Sequence, residues 1–166
     1  MKCRHNLLLV LMSSLFVVGT SYAADSKAKD ASGSYVAPKM QHAAYGDLKI
    51  VVPITTDDKA IHTLKLRNLE NSLESSTHWN GHLHNTVVLY SKGLSLLKNP
   101  DAETRRTIDA LKTKGVKFVV CNNSLREQGI DFHQLYNVTD SDIVPSGFAE
   151  VAYLQTQQKY VVDPIN

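Results

Sequence analysis

Cys121 is the one strong nucleophile candidate in this chain. It closes the apolar, largely β-branched run Val116-Lys117-Phe118-Val119-Val120, which reads as a buried strand, and Gly115 stops the helix before that run. Asn122-Asn123-Ser124 follows, made of residue types that cap a helix start. Cys121 is therefore expected at the carboxyl end of a strand and at or just before the first turn of the next helix. Ligands bind at that edge of open α/β sheets. Free N–H groups at a helix start also favour a thiolate over a thiol. No acid lies between Gly115 and Cys121, and Glu127 is the nearest downstream, so local repulsion of a thiolate is small. Asp57 and Asp58, brought in by another loop, could change that.

Other reactive side chains are less well placed. His133, twelve residues past Cys121, could activate the thiol, but no protease-type sequence surrounds the cysteine. His82 and His84 would face the same way on a strand, near His78. No cysteine or carboxylate nearby completes a tetrahedral set, so an exposed strand edge is expected rather than a metal site. Ser91-Lys92-Gly93 resembles a small anion-binding turn but lacks the spacing of a P-loop. No metal and no cofactor is expected.

The elements that position Cys121 alternate along the chain. Leu48–Ile54 is predicted as a strand buried on both faces, with Pro53 near its end. Thr55-Thr56-Asp57-Asp58 then supplies cap types for a helix to about His78. Its inward stripe is expected to hold Ile61, Leu64, Leu66, Leu69 and Leu73, and Asn80-Gly81 closes it. His82–Tyr90 is a second strand, Ser91-Lys92-Gly93 a turn and Leu94–Leu97 a short helical piece. Asn99-Pro100-Asp101 reads as a helix start with Asn99 as its cap, and Thr104, Ile108 and Leu111 mark the inner face. After Cys121 a short helix reaches Gln128, where Gly129 stops it. Asp131 caps a turn carrying Phe132, Leu135 and Tyr136. Ile143-Val144 is a short fourth strand. Phe148, Val151, Ala152 and Gln155 share one face of the last helix, and Tyr160-Val161-Val162 is the last strand.

This alternation predicts an α/β domain with an open, mostly parallel sheet of about five strands. Four polar turns should gather at its carboxyl edge. They contribute Thr55 and Thr56, Gly93, Asn122, Asn123 and Ser124, and Ser146 and Gly147 as candidate binding residues around a candidate catalytic Cys121.

The amino-terminal residues read as an address. Lys2, Arg4 and His5 precede the apolar run Leu7–Val18, which is too short for a comfortable membrane span. Ser21 and Ala23 then offer small residues at a cleavage site. Residues 1–23 are expected to be a secretory signal peptide, 24–44 a flexible leader and 45–166 the folded domain. Cleavage removes Lys2 and Arg4 and no acid, so 18 basic residues become 16, against 16 acidic ones. A near-neutral mature chain does not support nucleic-acid binding, and no membrane association is expected after cleavage. Cys3 leaves with the signal. The lone Cys121 is then a buried small hydrophobe, an intermolecular link or a reactive thiol.

The order of these segments resembles the DsrE/DsrF-like sulfur-relay proteins, which include the TusD-type sulfur carriers. The matching stretches are Lys49-Ile50-Val51-Val52-Pro53-Ile54-Thr55-Thr56-Asp57, Val87-Val88-Leu89-Tyr90 leading to Gly93, and Phe118-Val119-Val120-Cys121 before Asn123-Ser124-Leu125. Val144-Pro145-Ser146-Gly147, Glu150, Leu154-Gln155 and Tyr160-Val161-Val162-Asp163-Pro164 complete them. The resemblance covers Tyr45–Asn166, and order and spacing carry it. It implies a flavodoxin-like three-layer domain that assembles into homo-oligomers, trimers or hexamers. In active members a cysteine after this strand carries sulfur as a persulfide, a role that maps here onto Cys121 alone. With the export signal, the chain looks like a periplasmic branch. A periplasmic sulfur carrier or sulfurtransferase-like protein is expected, exchanging sulfur with donor and acceptor thiol proteins or small thiols. The other reading is a non-catalytic oligomeric module that binds a small ligand at the same sheet edge.

Overall fold

The computed structural model describes residues 39–163. The expected signal peptide, the leader up to Pro38 and the closing Pro164 lie outside the described residues. Five strands form one all-parallel sheet in the order β4-β3-β2-β1-β5. They are β1 (Gly46–Ile54), β2 (Gly81–Leu89), β3 (Lys117–Cys121), β4 (Ile143–Val144) and β5 (Val161–Val162). Four α-helices connect them: α1 (Lys59–His78), α2 (Ala102–Thr113), α3 (Asn122–Gln128) and α4 (Gly147–Thr156).

The layers follow from this order. The chain steps from β1 to β4 in one direction, so its right-handed connections put α1, α2 and α3 on one face. It then crosses back to β5 beside β1, which puts α4 on the other. The two cores confirm the layering. Val52, Ile54, Val87, Leu89, Phe118 and Val120 pack with Leu66, Leu69, Ile108, Leu111 and Leu125 on the three-helix side. Val51 and Val88 pack with Leu154 on the α4 side. Phe118 is 1 % exposed, and burying a side chain of that size contributes about 1.5–3 kcal/mol. The result is a three-layer, flavodoxin-like α/β domain. No helix among the described residues is long and apolar enough to cross a membrane.

Several local expectations are corrected. β1 starts at Gly46, and its residues 46–49 are exposed, so only its second half is buried. Pro53 remains inside β1. Val51 O accepts from Asp163 N, and Pro53 shares the parity of Val51, so its missing N–H faces the side where the short β5 has already ended. Helix α1 is rotated from the expected stripe. Ile61 and Leu64 are half-buried, whereas His62 and Lys65 join Leu66 and Leu69 inside. Lys65 goes inward because Asp163 meets its ammonium at 3.0 Å.

The cap of α2 is Asp101, whose carboxylate accepts from Thr104 N at 2.8 Å. Asn99 instead takes a left-handed conformation (φ 53°) in the preceding turn. Phe132, Leu135 and Tyr136 pack on this chain's own core, and Tyr136 donates to Asp109 at 2.6 Å. On α4 the inward residues are Gly147, Val151 and Leu154. The face shared by Phe148, Ala152 and Gln155 turns outward, with Phe148 74 % exposed.

Candidate functional site

Adjacent loops of this sheet diverge after β3 and β4. The chain leaves β3 into α3 on one face, and leaves β4 into α4 on the opposite face. That divergence opens a crevice at the carboxyl ends of neighbouring strands, the place where open α/β sheets bind ligands. Cys121 occupies it. It is the last residue of β3, stands opposite Val144 of β4, and is the N-cap residue of α3 (φ −74°, ψ 116°). Its side chain lies on the α4 side of the sheet, with Val119, because Phe118 and Val120 point the other way. The first turns of two helices therefore converge on one sulfur.

The approach of α4 depends on Gly147. A Cβ on Gly147 would lie 2.8 Å from Tyr90 Cβ and 3.1 Å from Cys121 Cβ. Only a residue without a side chain brings its backbone this close to both. Ser146 caps α4, its hydroxyl accepting from Ala149 N at 3.3 Å. On the other side, the Ser124 hydroxyl accepts from Ser91 N at 2.7 Å. With that acceptor site occupied, its own proton is free to point at the sulfur. Ser91 is held in turn by Gln128, which donates to its carbonyl at 2.7 Å. Ser91 has a left-handed backbone (φ 51°), uncommon for a residue with a side chain, so this corner is fixed by its partners.

The electrostatics follow from these donors. Burial pushes the Cys121 thiol up, since Cys121 is only 4 % exposed. Hydrogen bonds to the sulfur from the Ser124 hydroxyl and from the N–H groups of Gly147, Ser124 and Asn123 outweigh burial. The thiol titrates below its ordinary value. Asp57 and Asp58 do not oppose this: Asp57 lies 3.7 Å from Lys92, and Asp58 caps α1 through Ala60 N at 2.8 Å.

A lowered thiol pKa makes folding stability pH-dependent. The folded chain releases this proton before the unfolded one does. The stabilisation is therefore fully present above the unfolded thiol's pKa and is lost as pH falls through the folded value. We expect the urea midpoint of the wild type, relative to Cys121→Ser, to rise from neutral to alkaline pH. A difference that is flat or falls with pH would contradict the lowered pKa.

Of the residues expected around the thiol, Asn123, Ser124 and Gly147 act on the sulfur directly, and Asn122 and Ser146 flank them. Gly93 serves the backbone: a Cβ there would overlap the carbonyl of Ile54. Thr55 is exposed, and Thr56 is taken up by the α1 turn, where its hydroxyl accepts from Asp58 N and its carbonyl meets His62 Nε2 at 2.7 Å. No hydrogen bond among the described residues joins either threonine to Cys121. His133 is exposed and engages Asp131 at 2.7 Å, so it does not activate the thiol. His78, His82 and His84 are exposed, and no group of three or more His, Cys, Asp or Glu side chains converges among the described residues. Tyr90 and Gln128 were not among the expected site residues, whereas Ser91 belongs to the Ser91-Lys92-Gly93 turn expected at this edge. Tyr90 could have been found from its parity with Val88 at the end of β2. The Ser124–Ser91–Gln128 chain depends on tertiary contacts that periodicity does not encode.

Fold and site together define an all-parallel α/β domain with a single cysteine at the crevice between diverging loops. The chain belongs to the DsrE/DsrF-like family, which it matches over residues 49–164. Among solved structures it is similar to MTH1491 of Methanobacterium thermoautotrophicum, a protein of unknown function, at 28 % identity and a TM-score of 0.61. That match covers 70 % of this chain and 98 % of the other. It shares its fold with BT1422 of Bacteroides thetaiotaomicron, also of unknown function, at 19 % identity and a TM-score of 0.50, covering 69 % and 91 % of the two chains. No curated protein matches the sequence.

Proposed function

We propose that the protein is a sulfur carrier in which Cys121 holds sulfane sulfur as a persulfide. The observation that carries this reading is the convergence of the α3 and α4 amides on Cys121, with the resulting fall in its thiol pKa. The step balances without an external oxidant. The Cys121 thiolate attacks the outer sulfur of a donor persulfide, forming a Cys121 S–S bond as the donor's own S–S bond breaks. The donor leaves as a thiol, taking the proton of the transferred sulfur. An acceptor thiolate then attacks that outer sulfur and releases Cys121 as a thiolate. The amides that stabilise the thiolate also stabilise the ionised persulfide. Donor and acceptor are thiol proteins or small thiols. Cys121 is buried with the start of α4 at Gly147 against it, so transfer requires part of this cover to move aside.

Burial of Cys121 favours a second reading, in which the crevice belongs to a non-catalytic binding module and the thiol is part of its wall. Alkylation separates the two. A carrier reacts in the native state, whereas a wall cysteine reacts only after unfolding.

Export and assembly belong to the same proposal. The mature chain begins at Ala24 in the periplasm and forms a trimer or a hexamer. Intact mass and light scattering of the exported protein test both points. A mass that includes Met1, or a monomer at micromolar concentration, contradicts the corresponding part.

A further inference from the structure

A cavity of about 220 Å³ lies between the first turns of α1, the end of the 3₁₀ turn Ser91–Leu96 and the start of α2. Leu66 and Leu96 line its apolar part and belong to the three-helix core, so it lies on the side of the sheet opposite Cys121. His62 also lines it and is 6 % exposed. Its Nε2 meets the Thr56 carbonyl at 2.7 Å. A carbonyl only accepts, so the neutral ring carries its proton on Nε2 and keeps a lone pair on Nδ1. Nδ1 makes no hydrogen bond within the chain. It is not sealed off either. Among the described residues only Asn85 holds side-chain N or O atoms that are both buried and unpaired. Nδ1 is therefore an unused acceptor that a ligand in the cavity can reach.

We propose that the cavity binds inorganic hydrogen phosphate. Charge argues for an anion. Lys59, Lys98 and Asp101 are the charged side chains that line the cavity, two cations against one carboxylate. Asp101 is committed to α2, where it accepts from Thr104 N at 2.8 Å, so the start of that helix already has its acceptor. Both lysines are exposed at the rim, and their long stems let the ammonium groups turn over the cavity. Hydrogen bonding argues for an anion that keeps a proton. Near neutral pH inorganic phosphate offers P–O⁻ groups to the lysines and a P–OH to Nδ1. Sulfate has no proton to give. A phosphate monoester, with a second pKa of about 6, has mostly lost its own. The volume lies below the range for drug-sized ligands and suits a small tetrahedral ion.

The test uses the full chain, isotope-labelled in its histidine rings, with the His62 nitrogens followed by nuclear magnetic resonance at about pH 8, where an imidazole is ordinarily neutral. The probes are inorganic phosphate, sulfate and methyl phosphate at matched ionic strength, because salt screens exposed lysines. We expect a saturable shift of His62 Nδ1 with phosphate at millimolar concentration. Sulfate and methyl phosphate should bind about tenfold more weakly or worse, since neither offers Nδ1 a donor. Lys98→Gln should weaken phosphate binding severalfold and leave the melting temperature unchanged, because Lys98 is exposed. His62→Leu should abolish the preference for phosphate, and the three probes on the wild type decide the matter even if that variant does not fold. The absence of a saturable shift at His62 overturns the proposal. An equal response to sulfate overturns it as well, since it would reflect the lysines alone, and so does an equal response to methyl phosphate, which would remove the contact from P–OH to Nδ1.

Discussion

Cys121→Ser is expected to abolish sulfur loading completely while leaving the fold in place. A serine hydroxyl is not ionised near neutral pH and forms no persulfide, so no residual carrier activity should remain. The fold tolerates the change for a local reason. Cys121 is the N-cap residue of α3, its sulfur already receives the Asn123 and Ser124 amides, and serine is among the preferred caps. A hydroxyl accepting from the same amides offsets part of the cost of burying it where sulfur sat. We expect stability within about 1 kcal/mol of the wild type. Intact mass after exposure to polysulfide, together with urea denaturation, reads both halves. A sulfur adduct on the variant would place the carrier function elsewhere, and an unfolded variant would show that Cys121 is chiefly structural.

Gly93→Ala should have the largest effect on stability. Gly93 begins its contact with β1 at the strand's last residue, where Ile54 O also accepts from Tyr90 N at 3.2 Å. An added Cβ would overlap Ile54 O and approach Thr55 N to 3.0 Å. The obstacle is backbone on both sides, so no rotamer change relieves it. Either the 3₁₀ turn Ser91–Leu96 must shift or the end of β1 must bend. Both movements disturb Leu94, which is fully buried in the core. We expect a loss of about 3 kcal/mol or more, at the upper end of overpacking effects. An unchanged urea midpoint would show that the turn shifts at little cost.

The position of Cys121 was legible because each signal around it is local. Gly115 ends α2 with a left-handed backbone (φ 88°), Phe118 to Val120 form the strand, and Asn122 opens α3. The rest of the site was only half legible. Pro145-Ser146-Gly147 announces a turn, but its role follows from the pairing of Cys121 with Val144, which places the start of α4 over the sulfur. That pairing spans two elements and leaves no local mark. The same holds for α1, where periodicity treats Lys65 as an outward residue. It is buried because the end of β5, 98 residues away, supplies a carboxylate. For α2, the preference for proline at the first helical position favoured Asn99 as the cap. The choice fell to Asp101 because the left-handed turn at Asn99 already commits its backbone.

The most direct test of the account is sulfur loading of the native wild type. The folded protein is incubated with polysulfide and freed of small sulfur species, and its thiols are then capped by alkylation. Intact mass and peptide mapping locate any added sulfur. The account predicts an adduct of sulfur on Cys121, formed in the native state and discharged by a small acceptor thiol. An unloaded Cys121 in the folded protein, reactive only after unfolding, would contradict it and leave the thiol as part of the wall of a binding site.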